Sequence, residues 1–295
     1  MNRKLFKSIR EYKRESILAP VFVILEVLME VLIPLQMAKI IDVGIQNGDL
    51  TYIMEDGRHS GCHGNACAVF RRHGRKFAAV AAAGYAKNLR HDIFYKIQDF
   101  SFKNIDHFST SSLVTRLTTD ITNVQLAYMM SVRLLARAPI MIILSLVMIL
   151  TINVEISVAL LILIPILGGI LMFIAKKAHP HFIKVFDEYD VLNNSVQENV
   201  NAARVVKAYV REDYEIEKFH GVSRLVYTLF TKAEKIVAWN APTMQFFMYG
   251  VILLMVSVGG RSIINQTMET GELTSVIVYA LQILMSLMMV TSCSL

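Results

Sequence analysis

Cysteine and tryptophan are nearly absent from this chain, and charge is thin. The three cysteines, Cys62, Cys67 and Cys293, supply no disulfide framework. The single tryptophan, Trp239, opens an apolar run, a position that suits an interfacial anchor. Only 18% of residues are charged, 54% are hydrophobic and mean hydropathy is +0.46, which excludes an ordinary soluble domain. Nothing shows the alternating pattern of a membrane barrel. No Ser-His-Asp or paired-carboxylate arrangement is recognisable, so no hydrolytic chemistry is expected. The basic N-terminus lacks a small-residue cleavage site, and a cleavable signal peptide is not expected. The net charge of +6 would suit nucleic acid, but the charges flank apolar runs rather than forming a basic domain. A nucleic-acid partner is therefore not expected.

What the chain has in quantity is bilayer-length apolar sequence. Stretches 17–38, 138–154, 156–175, 243–260 and 273–290 each approach the roughly 20 residues that a helix needs to cross hydrocarbon. Lipid offers the backbone no hydrogen bonds, so helices are the expected form. Lys and Arg then orient the chain: residues 1–16 hold six and 176–238 hold ten, against none in 46–53 and 153–155 and only Arg261 in 261–272. The N-terminus and the 176–238 connection are expected on the cytoplasmic side.

That orientation needs a sixth crossing between residues 53 and 77. The segment there, Met54–Lys76, carries five Lys/Arg and four Gly, and is not expected to sit in lipid as a helix. His59, Cys62, His63, Cys67 and His73 have zinc-ligand chemistry, but their spacing matches no finger or ribbon motif. The genetic code offers another reading. The possible codons of Met54–His73, read one base later, permit an apolar span rich in Ile, Leu, Val, Ala, Met and Phe, ending just before Phe77. Residues 54–76 are read as a frame-shifted stretch, natural or an error of sequence, in place of the second transmembrane helix.

The other expectations follow from pattern. Residues 1–16 form a basic amphipathic elbow helix on the cytoplasmic surface, and Pro20 and Pro34 kink the first span. A helix begins near Ser111 or Ser112 and reaches Ile152, and the next runs from Ile156 to about Val206. A fifth long helix follows the break at 208–215 and ends near Ser262. Rods that far exceed the membrane thickness carry force between a pore and something outside it. The two polar interruptions, 103–111 and 208–215, sit at the ends of such rods, where a short crosswise helix could be gripped.

Residues 88–98 (Asn-Leu-Arg-His-Asp-Ile-Phe-Tyr-Lys-Ile-Gln) and 108–120 (Phe-Ser-Thr-Ser-Ser-Leu-Val-Thr-Arg-Leu-Thr-Thr-Asp) resemble the first intracellular loop of ATP-binding-cassette exporters. Residues 198–212 (Glu-Asn-Val-Asn-Ala-Ala-Arg-Val-Val-Lys-Ala-Tyr-Val-Arg-Glu) are similar to the second. The resemblance covers about 1–53 and 77–290. It implies an all-α membrane protein, a six-helix exporter transmembrane domain over 17–295, in a bacterial cell membrane. It implies coupling helices at Asn104, Ile105, Asp106, His107, Phe108 and onward to Ser111, and at Ala208, Tyr209, Val210, Arg211, Glu212, Asp213 and Tyr214. Tyr209 would plug into an ATPase surface. The implied partners are lipid, a nucleotide-binding domain, a second transmembrane half (identical or different) and an amphipathic substrate.

These exporters normally continue into an ATPase domain. This sequence contains no G-x-x-x-x-G-K-[ST] phosphate loop and no LSGGQ-type signature. The polypeptide by itself is therefore expected not to hydrolyse ATP or to hold a cofactor; ATP and Mg would belong to the missing or partner domain. The final Thr-Ser-Cys-Ser-Leu reads as a truncation. Rival readings are a membrane subunit paired with a separately encoded ATPase, a non-functional remnant, and a zinc-responsive sensor. At membrane depth Glu26 and Glu30 lie four apart on one helix face, and with Gln245 and Gln282 they are the candidate substrate-pathway residues. Arg133 and Arg137 share another face, where snorkelling to the interface is expected.

Overall fold

The structure, a computed structural model, describes residues 7–101 and 110–292. Every element among them is helical. The long ones are α1 (Lys13–Lys39), α2 (Leu50–Gln98), α3 (Ile121–Ile152), α4 (Val154–Ala208), α5 (Glu212–Val237), α6 (Asn240–Ile264) and α7 (Thr270–Ser292); a short helix, Thr110–Thr115, and a π-helical turn, Arg116–Asp120, lead into α3. Five helical stretches are long and apolar enough to cross a membrane: Arg10–Ile45, Ser112–Ile152, Val154–Ala208, Glu212–Ile264 and Thr270–Thr291. They coincide with the five runs read from the sequence. At 55 residues, α4 is roughly 80 Å long.

The chain divides into two compact units. The first runs to Val158 and takes up Leu254–Val290. In it α1 packs along α2 and α3. Small residues make that contact close: Ala19 on α1 and Ala78, Ala81, Ala82 and Ala86 on α2 are all buried. Gly84 admits the ring of Tyr12 so closely that a Cβ there would overlap it. Phe22 stacks on Phe77 at 5.3 Å and on His73 at 5.5 Å. α7 is fastened to α1 near its second proline: Tyr279 Oη donates to the Val31 carbonyl at 2.7 Å, and Ser275 Oγ donates to the Pro34 carbonyl. Neighbouring hydroxyls thus serve backbone oxygens around that proline.

The connections from α1 to α2 and from α3 to α4 are short. α1 ends in a π-helical turn, Ile40–Ile45, and Gly48 turns the chain at φ +67°, a left-handed conformation that glycine adopts without strain. Asp49 caps α2, accepting from the Thr51 and Tyr52 amides at 3.0 and 3.1 Å. Between α3 and α4 only Asn153 is extended, at φ −150° and ψ 117°. Its carboxamide accepts from the Ile156 amide at 3.1 Å and donates to Ser262 Oγ at 3.2 Å.

The second unit holds Ala159–Leu253. There α4 and α5 pair through Phe182 and Phe230, whose rings meet edge-on at 6.4 Å. Asn199 Nδ2 donates to Glu215 Oε2 at 2.9 Å, and Lys218 Nζ to Glu198 Oε2 at 3.0 Å. The hydrogen bond to Glu198 raises the Lys218 ammonium above its ordinary range.

The 54–76 stretch, not expected to sit in lipid as a helix, lies within one continuous 49-residue helix, α2. What sets it apart is its surface, where Glu55, Arg58, Arg72, Arg75 and Lys76 are exposed; α2 is absent from the five membrane-length apolar helices. The fifth rod is two helices, α5 and α6, because Pro242 has no N–H for the Ala238 carbonyl and the helix restarts at Asn240. Of the elbow helix expected over 1–16, residues 1–6 lie outside the described residues. Arg10–Tyr12 is a 3-10 turn, and α1 begins at once at Lys13.

Candidate functional site

The two carboxylates singled out on α1 do face inward, and each finds a cation from another helix. Glu26 is 5% exposed. Its Oε1 accepts from Arg71 Nε of α2 and from Arg137 Nη1 of α3, both at 2.7 Å. Arg137 Nη2 donates to Glu30 Oε2 at 2.6 Å, and Arg71 Nη2 stands 3.9 Å from the same oxygen. Two negative and two positive charges alternate, so the cluster is neutral while tying three helices together. A charge removed from water is tolerable only when paired and hydrogen-bonded, which explains why these four gather.

Arg137 corrects the sequence reading. It turns into the bundle and pairs rather than snorkelling to the interface. A cavity of about 210 Å³ opens onto Glu26 and Arg137, walled by Val23, Met130, Arg133, Leu134 and Met289. Charged head atoms and thioether side chains therefore face the same small space.

The residues with zinc-ligand chemistry do not gather. His59, His63 and His73 each place Nδ1 against the carbonyl one turn back, at 2.8 to 2.9 Å. Cys67 instead joins Glu26 and Glu30, with donor atoms all within 4.8 Å of one another. That set does not fit a cation: Arg71 and Arg137 already occupy the carboxylates and place two positive charges beside them.

Gln282 is half-buried on α7, and its Oε1 lies 3.5 Å from Ser145 Oγ of α3. Gln245 belongs to the second unit, where it is exposed on α6. The cluster therefore collects two of the four expected pathway residues and adds two that were missed. The missed signal was charge balance, since two carboxylates at membrane depth require cations on neighbouring spans.

The break between α4 and α5 shows what the chain offers at the far end of its rods. Val210 takes a left-handed φ of +51°, and the Arg211 amide returns to the Val206 carbonyl at 3.0 Å, closing the turn. The turn pushes Tyr209, Val210 and Tyr214 outward, at 76%, 81% and 60% exposed. Glu212, Asp213 and Glu215 occupy the first turn of α5, where acidic groups meet the positive end of the helix dipole. The matching positions in the other interruption, Asn104, Ile105, Asp106, His107 and Phe108, lie outside the described residues.

A family model of the ABC transporter transmembrane region matches residues 16–287. This chain belongs to that family. It is 31% identical over 283 residues to an uncharacterised ABC transporter ATP-binding protein, YfiB, of Bacillus subtilis, covering 95% of this chain and 49% of that protein. It is 26% identical over 290 residues to an uncharacterised ABC transporter ATP-binding protein of Mycobacterium tuberculosis, covering 97% of this chain and 49% of the relative. An ATP-dependent lipid A-core flippase of Desulfotalea psychrophila is 25% identical over 185 residues, 63% of this chain and 32% of the flippase. The chain spans about half the length of the longest-matching curated relatives. The ABC transmembrane region thus accounts for the long helices and for the two loop motifs that resembled an exporter.

Proposed function

We propose that this chain is the substrate-translocating part of an ATP-driven exporter in a bacterial cell membrane, with its N-terminus cytoplasmic. It would couple ATP hydrolysis on a nucleotide-binding domain to export of amphipathic compounds, lipids or peptides. The observation that carries this reading is the turn at Tyr209–Arg211: aromatic and apolar side chains held in water at the tip of a rod roughly 80 Å long. Large apolar groups exposed together on a defined turn mark a contact surface. That ATP drives the partner is supported by the relatives' names, and a lipid cargo by the flippase among them.

Coupling runs from residues 104–108 and 208–214 to the helices, and the cargo meets the Glu26, Glu30, Arg71 and Arg137 cluster, with Gln282 and Gln245 further along the path. Replacing Tyr209 with Ala, in the chain completed by its nucleotide-binding domain, is expected to leave ATP hydrolysis in place. Uptake of a fluorescent amphipath into inverted vesicles should fall at least tenfold. Coupling that stays intact removes Tyr209 from the lever. Co-purification of a distinct ATPase would show that the partner is separately encoded.

A second reading, a frame-shifted remnant, is favoured by one observation: the outward side of α2 over 54–76 carries Glu55, Arg58, Arg72, Arg75 and Lys76, all exposed. Each such charge facing hydrocarbon costs about 3 kcal/mol or more. The nucleotide sequence of codons 50–80 decides. A one-base shift that yields polar residues on that face ends the frame-shift idea.

A further inference from the structure

A cavity of about 750 Å³ lies between α1, α2 and α3, apart from the charge cluster. Its walls are apolar for most of their length: Pro20, Val124, Ala127, Val132, Leu135 and Ala136 line it. The polar lining is the Ser131 hydroxyl, part-way along α3, and a cluster at one end. There Tyr128 Oη donates to Ser16 Oγ at 2.8 Å, and Ser16 Oγ donates to the Tyr12 carbonyl at 2.7 Å. Tyr128 is held in place by stacking on Tyr85, ring centroids 4.6 Å apart. These hydroxyls are engaged with each other and with backbone, so the interior has little with which to bind a charged or strongly polar guest.

The rim supplies what the interior lacks. Lys13, Ser16 and Pro20 recur at i, i+3 and i+7, which places them on one face of α1. Nearby cations are already neutralised: Arg10 pairs with Asp92 at 2.6 Å and Lys87 with Glu11 at 3.3 Å. Lys13 and Arg14 are both exposed, and Lys13 stands one turn from Ser16 on that face. An apolar slot with a basic rim is complementary to a molecule with a hydrocarbon tail and an anionic head.

Exposure and charge together favour a lipid occupant. From Val124 to Leu135 the groove follows α3 for roughly 16 Å. Its outer side is open, with Leu135 72% and Val124 37% exposed. Apolar side chains open to the surroundings beside a basic rim suit hydrocarbon chains under an anionic head.

We propose that the slot between α1, α2 and α3 binds an anionic phospholipid from the leaflet bordering the N-terminus, its tail against Ala127 and its head on Lys13. The proposal requires membrane insertion but no coupling to ATP, so its failure and that of the exporter reading are separable.

The test places the chain in nanodiscs carrying phosphatidylglycerol or phosphatidylcholine with a diazirine in the tail, and maps adducts by mass spectrometry. Adducts are expected within residues 124–136, at least fivefold more from phosphatidylglycerol. Ala127→Trp should remove those adducts while labelling elsewhere persists. Lys13→Gln with Arg14→Gln, on the exposed rim and compatible with an intact fold, should bring the two lipids level. Equal labelling of the unaltered chain by both lipids overturns the proposal. So do undiminished adducts after Ala127→Trp, cross-links to a second copy at these residues, and competition by a non-ionic amphipath as strong as by phosphatidylglycerol.

Discussion

Removing Arg137 probes the charge cluster most directly. In Arg137→Met, Glu30 keeps only Arg71 Nη2 at 3.9 Å, and Glu26 keeps one hydrogen bond of two. The cluster passes from neutral to a net charge of −1 at membrane depth. Breaking a buried ion pair by deleting one partner costs ~3–5 kcal/mol. The Arg137 side chain is 26% exposed and that of Glu30 24%, so the lower end applies, about 3 kcal/mol. A loss of that size is roughly a hundredfold in the unfolding equilibrium. Restoring neutrality with Glu30→Gln in the same chain should recover about 1–2 kcal/mol, a coupling expected of contacting residues. The assay is a double-mutant cycle by SDS titration in mixed micelles, followed by far-ultraviolet circular dichroism. If both variants unfold within ~0.5 kcal/mol of the parent, the four charges are individually solvated and the three-helix tie does not exist.

Other consequences are testable around the turn before α7. The Asp42 carboxylate beside it, with a smaller contribution from lost hydration, raises the exposed Glu269 carboxyl above the ordinary carboxylate range. A raised acid favours the protonated form in the folded state, so its stabilisation is full below the unfolded value and is lost as pH rises through the folded one. Amide protection across 263–272 should therefore decline with rising pH in that window; Asp42→Asn should flatten the trend, and a trend that survives refutes this origin. Gly271 sits against the Ala38 carbonyl and the Asp42 carboxylate, which its amide binds at 2.5 Å. Gly271→Ala should lower stability by ~1–3 kcal/mol, as overpacking does, read as a drop in thermal midpoint; an unchanged midpoint would show that α7 can slide away.

Hydropathy made most of the architecture legible, because spans in lipid are selected for bulk apolarity rather than for specific packing. The five long runs became five long helices with few surprises at their ends. Spacing alone set Glu26 and Glu30 on a common face. It could not name their partners, since Arg71 and Arg137 come from helices 45 and 111 residues away. Arg137 was misread because a lone arginine near a span's end looks the same whether it turns to the headgroups or to the bundle. The continuity of α2 was hidden by four glycines and five cations, all of which a helix accommodates when a partner such as α1 covers one side. Pro242 was visible, but whether a proline breaks or merely starts a helix depends on the carbonyl four residues earlier. The turn at Val210 carried no glycine to announce its left-handed backbone.

Asn153 has a mechanical consequence. Two helices totalling 87 residues meet across one extended residue, whose side chain is itself bonded on both sides. One residue of strand gives roughly 3.4 Å of slack, less than a single helical turn. α3 and α4 cannot ratchet past each other at that end; they can only swivel about it. Asn153 thereby confines relative motion of the two helices at that end to rotation.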